Sequence, residues 1–110
     1  GGFGLYLETG QNDRYILFRD DGSSSNSYES GTDTVLATIV LPDGITINSL
    51  TANPLSIVFK PPKAAIYLNG AQALNNATVI LYSKKVADKQ AAVSLNRITG
   101  RILAELQNRP

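Results

Sequence analysis

Apolar and polar residues alternate with a period of two along most of the chain, and turn chemistry repeatedly cuts the alternation. Phe3, Leu5 and Leu7 alternate with Gly4, Tyr6 and Glu8, the spacing of a strand with one buried face. Arg14-Tyr15-Ile16-Leu17-Phe18-Arg19 is apolar on both faces in its middle, which predicts a central strand covered on each side. Gln11-Asn12-Asp13 lies between these two runs and predicts that they form a hairpin. Val35, Ala37, Ile39 and Leu41 mark a third strand, and Pro42-Asp43-Gly44 turns it into a fourth opened by Ile45 and Ile47. Leu55, Ile57 and Phe59 line one face of a fifth, which stops at Pro61-Pro62 because proline cannot donate to the ladder. Ala65-Ile66-Tyr67-Leu68 runs into the turn dipeptide Asn69-Gly70. Ala77–Ser83 and Ala91–Leu95 are two more strands, joined as a hairpin across Lys84–Lys89.

The C-terminus carries two patterns. Ile98–Leu103 reads as a last strand broken by Gly100, while Arg101–Gln107 fits a helical turn or two as well as a strand. No window of about 11 residues holds a helical apolar stripe. The pattern therefore predicts a mostly β fold of about eight or nine short strands, in two packed antiparallel sheets. Residues 1–110 form one domain, without linker or repeat, and Asp20–Asp33 is the longest loop.

Composition narrows the chemistry. The chain has no Cys, His, Met or Trp. That removes disulfides, thiolate nucleophiles, imidazole bases, a Ser-His-Asp triad and the common zinc and iron ligand sets. The lack of Met predicts a processed or trimmed piece of a longer product. No run approaches the ~18 apolar residues of a membrane span. The loop Asp20-Asp21-Gly22-Ser23-Ser24-Ser25-Asn26-Ser27-Tyr28-Glu29 is rich in oxygen ligands, but its Gly comes too early for a calcium-binding loop. Asp20-Asp21 is the one adjacent carboxylate pair and lies in polar surroundings. No Ser-x-x-Lys and no phosphate loop occur. The expectation is a protein that is not an enzyme and uses no metal or cofactor. Asn76-Ala77-Thr78 matches the N-glycosylation triplet but reads more simply as the start of a strand.

Charge is unevenly divided. Residues 1–59 carry two basic and seven acidic groups, and residues 60–110 carry eight basic and two acidic groups. Lys84, Lys85 and Lys89 crowd the predicted hairpin, and Arg97 and Arg101 follow. Such a set could hold phosphates electrostatically. Lysines at strand ends also protect sheet edges and keep a surface solvated.

Gly2-Phe3-Gly4-Leu5-Tyr6-Leu7, then Tyr15-Ile16-Leu17-Phe18-Arg19-Asp20-Asp21-Gly22, resembles the opening of the globular head in prepilin-type proteins of the GspH/FimT kind. Leu41-Pro42-Asp43-Gly44-Ile45-Thr46-Ile47, Leu55-Ser56-Ile57-Val58-Phe59-Lys60-Pro61-Pro62 and Ala92–Ile102 resemble later strands of that head, in the same order. The resemblance spans nearly the whole chain. It implies a minor pilin or pseudopilin head whose leader and long N-terminal helix are missing here. It implies assembly with other pilin or pseudopilin subunits into a type IV pilus or type II secretion filament. The expected location is the bacterial envelope or outside the cell, with membrane contact only through the missing helix. Some relatives take up DNA through C-terminal basic residues that include a Gly-Arg-x-Arg pattern. Gly100-Arg101-Ile102-Leu103 keeps the first Arg and has Leu in place of the second, so DNA binding through Lys84, Lys85, Lys89, Arg97 and Arg101 is the alternative expectation.

Overall fold

The computed structural model describes residues 2–21, 25–61 and 65–110. Gly1, Gly22, Ser23 and Ser24 of the polar loop, Pro62 of the double proline, Lys63 and Ala64 lie outside the described residues. Strand β1 (Phe3–Leu7) pairs antiparallel with β2 (Arg14–Arg19), as the hairpin pattern predicts. A short 3-10 turn, Thr9–Gln11, precedes the Asn12-Asp13 turn that closes this hairpin. On its other side β1 pairs with β5 (Leu55–Lys60), a contact between segments some fifty residues apart. Strands β3 (Thr34–Val40) and β6 (Ala65–Leu68) complete a five-stranded sheet of order β3-β2-β1-β5-β6. Strands β4 (Ile45–Leu50), β7 (Asn76–Ser83), β8 (Lys89–Asn96) and β9 (Ile102–Asn108) form a second sheet of order β4-β7-β8-β9. Every pairing in both sheets is antiparallel, and the described residues contain no α-helix.

The turns follow the expected chemistry. Ile45 N–H donates to Pro42 C=O across Pro42-Asp43-Gly44, at 3.0 Å. Leu68 and Ala71 exchange backbone bonds of 2.9 and 3.2 Å across Asn69-Gly70. The hairpin β7–β8 forms with Val79 opposite Val93 and Leu81 opposite Ala91.

Two expectations need correction. The last strand does not begin at Ile98. Residues 97–100 are a turn in which Gly100 N–H donates to Asn96 C=O at 2.8 Å and the Asn96 side chain accepts from the N–H groups of Ile98 and Thr99. Gly100 sits at φ +72°, a left-handed conformation that a strand residue does not take, so the glycine ends the turn and β9 starts after it. The helical option for Arg101–Gln107 fails as well, because this segment pairs with β8 over its whole length. The second correction concerns β2. It does lie inside its sheet, but only Phe18 is fully buried, and the rest is half-covered or, at Arg19, exposed.

Packing explains that partial cover. On the outer face, Phe18 and Tyr6 meet the Tyr28 ring at centroid distances of 5.0 and 4.7 Å, so the segment around Tyr28 folds over the sheet. Gly4 makes room here. A Cβ at this position would come within 2.5 Å of the Phe18 ring and 2.6 Å of Ile57 C=O. On the inner face, the main core joins the sheets at one end. Leu55, Ile57, Ile66 and Leu68 of the first sheet pack against Ala77 and Leu95 of the second.

Candidate functional site: an apolar groove between the sheets

Beyond that core the two sheets leave an apolar groove between them, although Ile47 of β4 is also buried and its N–H donates to Asn12 C=O in the β1–β2 turn at 2.7 Å. Strand alternation places Leu5, Leu7, Tyr15, Ile57 and Phe59 on the inner face of the first sheet. It places Val79, Leu81, Val93, Leu95 and Ile102 on the facing side of the second. Between them lies an open groove of about 270 Å³, in which Tyr15 and Ser94 are the two lining residues that carry a polar side-chain atom. A second hollow of about 140 Å³ continues from Leu81 past Ile45, Val86, Ala91 and Leu106. The apolar floor thus follows β7 from Ala77 to Ser83, a length of about 20 Å at the strand rise. β1 enters beside it: Phe3 pairs with Phe59, and Phe59 lines the groove.

Such a surface can bind only by displacing water from hydrocarbon. Its side-chain polar atoms are the hydroxyls of Tyr15 and Ser94. The alternation of each strand is legible in the sequence. The groove is not, because it arises where the two sheets diverge.

A second cleft, of about 210 Å³, lies on the outer face of the first sheet. Tyr6, Tyr28, Glu8, Gln11 and Arg14 contribute to it. Tyr6 Oη donates to Glu8 Oε2 at 2.8 Å. Burial first, then this bond and the charge of Glu8, push the Tyr6 phenol up to about 12. It remains a protonated donor at any physiological pH and cannot serve as a base.

The basic residues singled out from the sequence do not form one patch. Lys84 and Lys85 lie in the β7–β8 turn and Lys89 opens β8. Arg97 and Arg101 lie in the β8–β9 connection at the far end of β8, an eight-residue strand that separates the groups by over about 20 Å. Lys89 Nζ donates to Asn108 Oδ1. Arg97 is held by Leu74 C=O at 2.8 Å and Asn75 Oδ1 at 3.2 Å. Lys84, Lys85 and Arg101 remain exposed.

Arg109, which sequence reading passed over, has a clear structural role. Its guanidinium stacks on the Tyr82 ring at 3.8 Å and donates to Lys89 C=O, Ser83 C=O and Val86 C=O at 2.7 to 3.1 Å. One side chain thereby ties the end of β9 to the β7–β8 turn.

In the polar loop, Asp20 and Asp33 are both buried. Asp33 accepts from Asp21 N–H at 3.0 Å and Glu29 N–H at 2.8 Å. Burial, and then the charge and hydrogen bond of Asp33, raise the Asp20 carboxyl, with Lys60 opposing. Asp21 is held below the usual carboxylate range by its hydrogen bonds to Arg19 and Thr34. No group of three or more acidic, His or Cys side chains gathers among the described residues as a metal site would require. Comparison with known proteins finds no matching family model, no matching curated protein and no matching solved structure.

Proposed function

We propose that this chain is the β-rich head of a filament subunit of the minor pilin or pseudopilin kind, acting by assembly and not by catalysis. The observation that supports this reading is the apolar groove along β7 and β8, open among the described residues and flanked by β1. An α-helix of about 13 residues has the length of that floor. In the proposed subunit, the lower part of an N-terminal helix fills the groove, and its upper part packs with other subunits in a filament core. The ordered resemblance of the strand motifs to prepilin-type heads supports the same assignment. The setting is then the bacterial envelope or an extracellular filament.

The test is a pair of urea denaturation curves, one on the 110-residue chain and one on the product that also carries the residues encoded before Gly1. The longer product is expected to be more stable by several kcal/mol, at about 25 cal/mol per Å² of apolar surface covered. Equal stability, or an upstream sequence without a long apolar helix, would overturn the proposal.

A further inference from the structure

The four outer strands of the two sheets differ in how well their free edges are protected. β6 has only four residues. β3 is broken by a bulge opposite Leu17 and Phe18, and β4 by a bulge between Ile47 and Ser49. Short strands and bulges both discourage pairing with another chain. β9 has neither device. It is seven residues long, pairs with β8 in unbroken register, and is exposed throughout. Ile102 is 65% exposed and Leu106 74%.

The free edge has a definite polarity. Asn96 N–H donates to Arg101 C=O, and Arg109 N–H donates to Asp88 C=O. In an antiparallel ladder such hydrogen-bonded pairs recur at every second residue. The backbone groups of Arg101, Leu103, Glu105, Gln107 and Arg109 therefore face β8. Those of Ile102, Ala104, Leu106 and Asn108 face outward.

We propose that β9 pairs antiparallel with β9 of a second copy of this chain, with Ala104 opposite Ala104 at the two-fold axis. The sequence of the strand selects this register. The flush alignment, centred on Glu105, would set two carboxylates directly opposite one another, which is destabilising. Centring on Leu106 leaves Ile102 without a strand partner. Centring on Ala104 pairs Ile102 with Leu106 twice, on the face where both are exposed, and sets each Glu105 against Leu103. About six backbone hydrogen bonds form, and the two four-stranded sheets become one of eight. A two-fold contact of this kind is self-complementary by construction. It does not depend on the pilin reading, since the backbone pairing uses the free edge of the second sheet, although Ile102 and Leu106 lie at the margin of its apolar floor.

The contact is small, so the dimer is weak. In sedimentation velocity, the 110-residue chain should pass from monomer to dimer between ~10 µM and ~1 mM. Ala104→Pro removes an outward N–H that β8 does not use and should weaken dimerisation at least ~10-fold without changing circular dichroism. If Ala104→Pro fails to fold, Leu106→Lys places a charge on an exposed side chain of the same edge and should have the same effect. The chain has no Cys, so single substitutions read the register. Ala104→Cys should cross-link under mild oxidation, because hydrogen-bonded pairs lie within disulfide reach, and Glu105→Cys should cross-link far less. A chain that stays monomeric to ~1 mM overturns the proposal. So does a dimer that both edge variants leave intact, which would place the contact in the groove or on β3. Cross-linking that favours Glu105→Cys would overturn the register.

Discussion

Asp20 sets burial directly against charge. Among the described residues its Oδ1 is buried without a hydrogen-bond partner, and its neighbour Asp33 is also a carboxyl. The folded-state pKa is raised, so the folded protein favours the protonated form. The contribution of Asp20 to stability is therefore fully present below the ordinary carboxylate pKa and is lost as pH rises through the raised value. Above the raised value the ionised group opposes folding, and there Asp20→Asn should stabilise by about 1 kcal/mol, a figure kept low because Lys60 and solvent offset part of the charge. The gain should shrink as pH falls from the raised value toward the ordinary carboxylate range near about 4 and level off below it, which urea curves at two pH values on either side of that window would read. Asn69 works in the opposite sense. Its Oδ1 accepts from the N–H of buried Ser56 at 2.7 Å, and its amide donates to Pro54 C=O at 3.0 Å. Asn69→Ala strands a buried donor and should cost about 1 to 3 kcal/mol in the same measurement. The turn at Asn69-Gly70 is legible in sequence from its composition. That Asn69 reaches β5 is not, because the partner is thirteen residues away and across a strand pair.

Local patterning made most strands legible, and long-range pairing the least. β1, β2 and the β7–β8 hairpin follow from period-two alternation and nearby turn residues. The placement of β1 between β2 and β5 does not, since no local signal joins Leu5 to Ile57. β9 was ambiguous for a physical reason. Ile102, Leu103 and Leu106 suit a helix face and a strand alike, and pairing with β8 decides between them. At its far end the strand depends on Arg109. Arg109→Ala removes the Tyr82 stack and three hydrogen bonds to carbonyls, so the end of β9 should fray. Hydrogen exchange should show lost protection at Gln107 and Arg109, with a cost of about 1 to 3 kcal/mol, while β1 and β2 keep theirs. The two basic groups at opposite ends of β8 bear on nucleic acid. Filter binding to duplex DNA at 200 mM salt is expected to show no retention, because neither group alone neutralises enough phosphates. Retention at that salt that Lys84→Glu, Lys85→Glu and Lys89→Glu together abolish would instead make the hairpin a phosphate site.

At the scale of the whole molecule, the described residues form a closed core and an open apolar floor. The native chain should therefore bind a hydrophobic dye such as ANS with enhanced fluorescence, and the enhancement should fall when the groove is filled by an upstream helix. A native state that leaves ANS fluorescence unchanged would mean that the sheets close together in solution. The sequence predicts two packed sheets, and the two sheets are there. It does not reveal that an apolar groove stays open between them, since alternation marks which face is apolar and is silent on what lies opposite.

The position of β1 also has a mechanical consequence. It is hydrogen-bonded along both edges, to β2 and to β5. A pull applied at Gly2 along the strand axis loads both ladders in shear, so their bonds must fail together and not one after another. Peeling the end of β9 would require far less force, since one ladder holds it and unzips from its tip. In a subunit tethered through its N-terminal side, tension would thus reach the head through a strand held along both edges and leave the β9 edge unloaded.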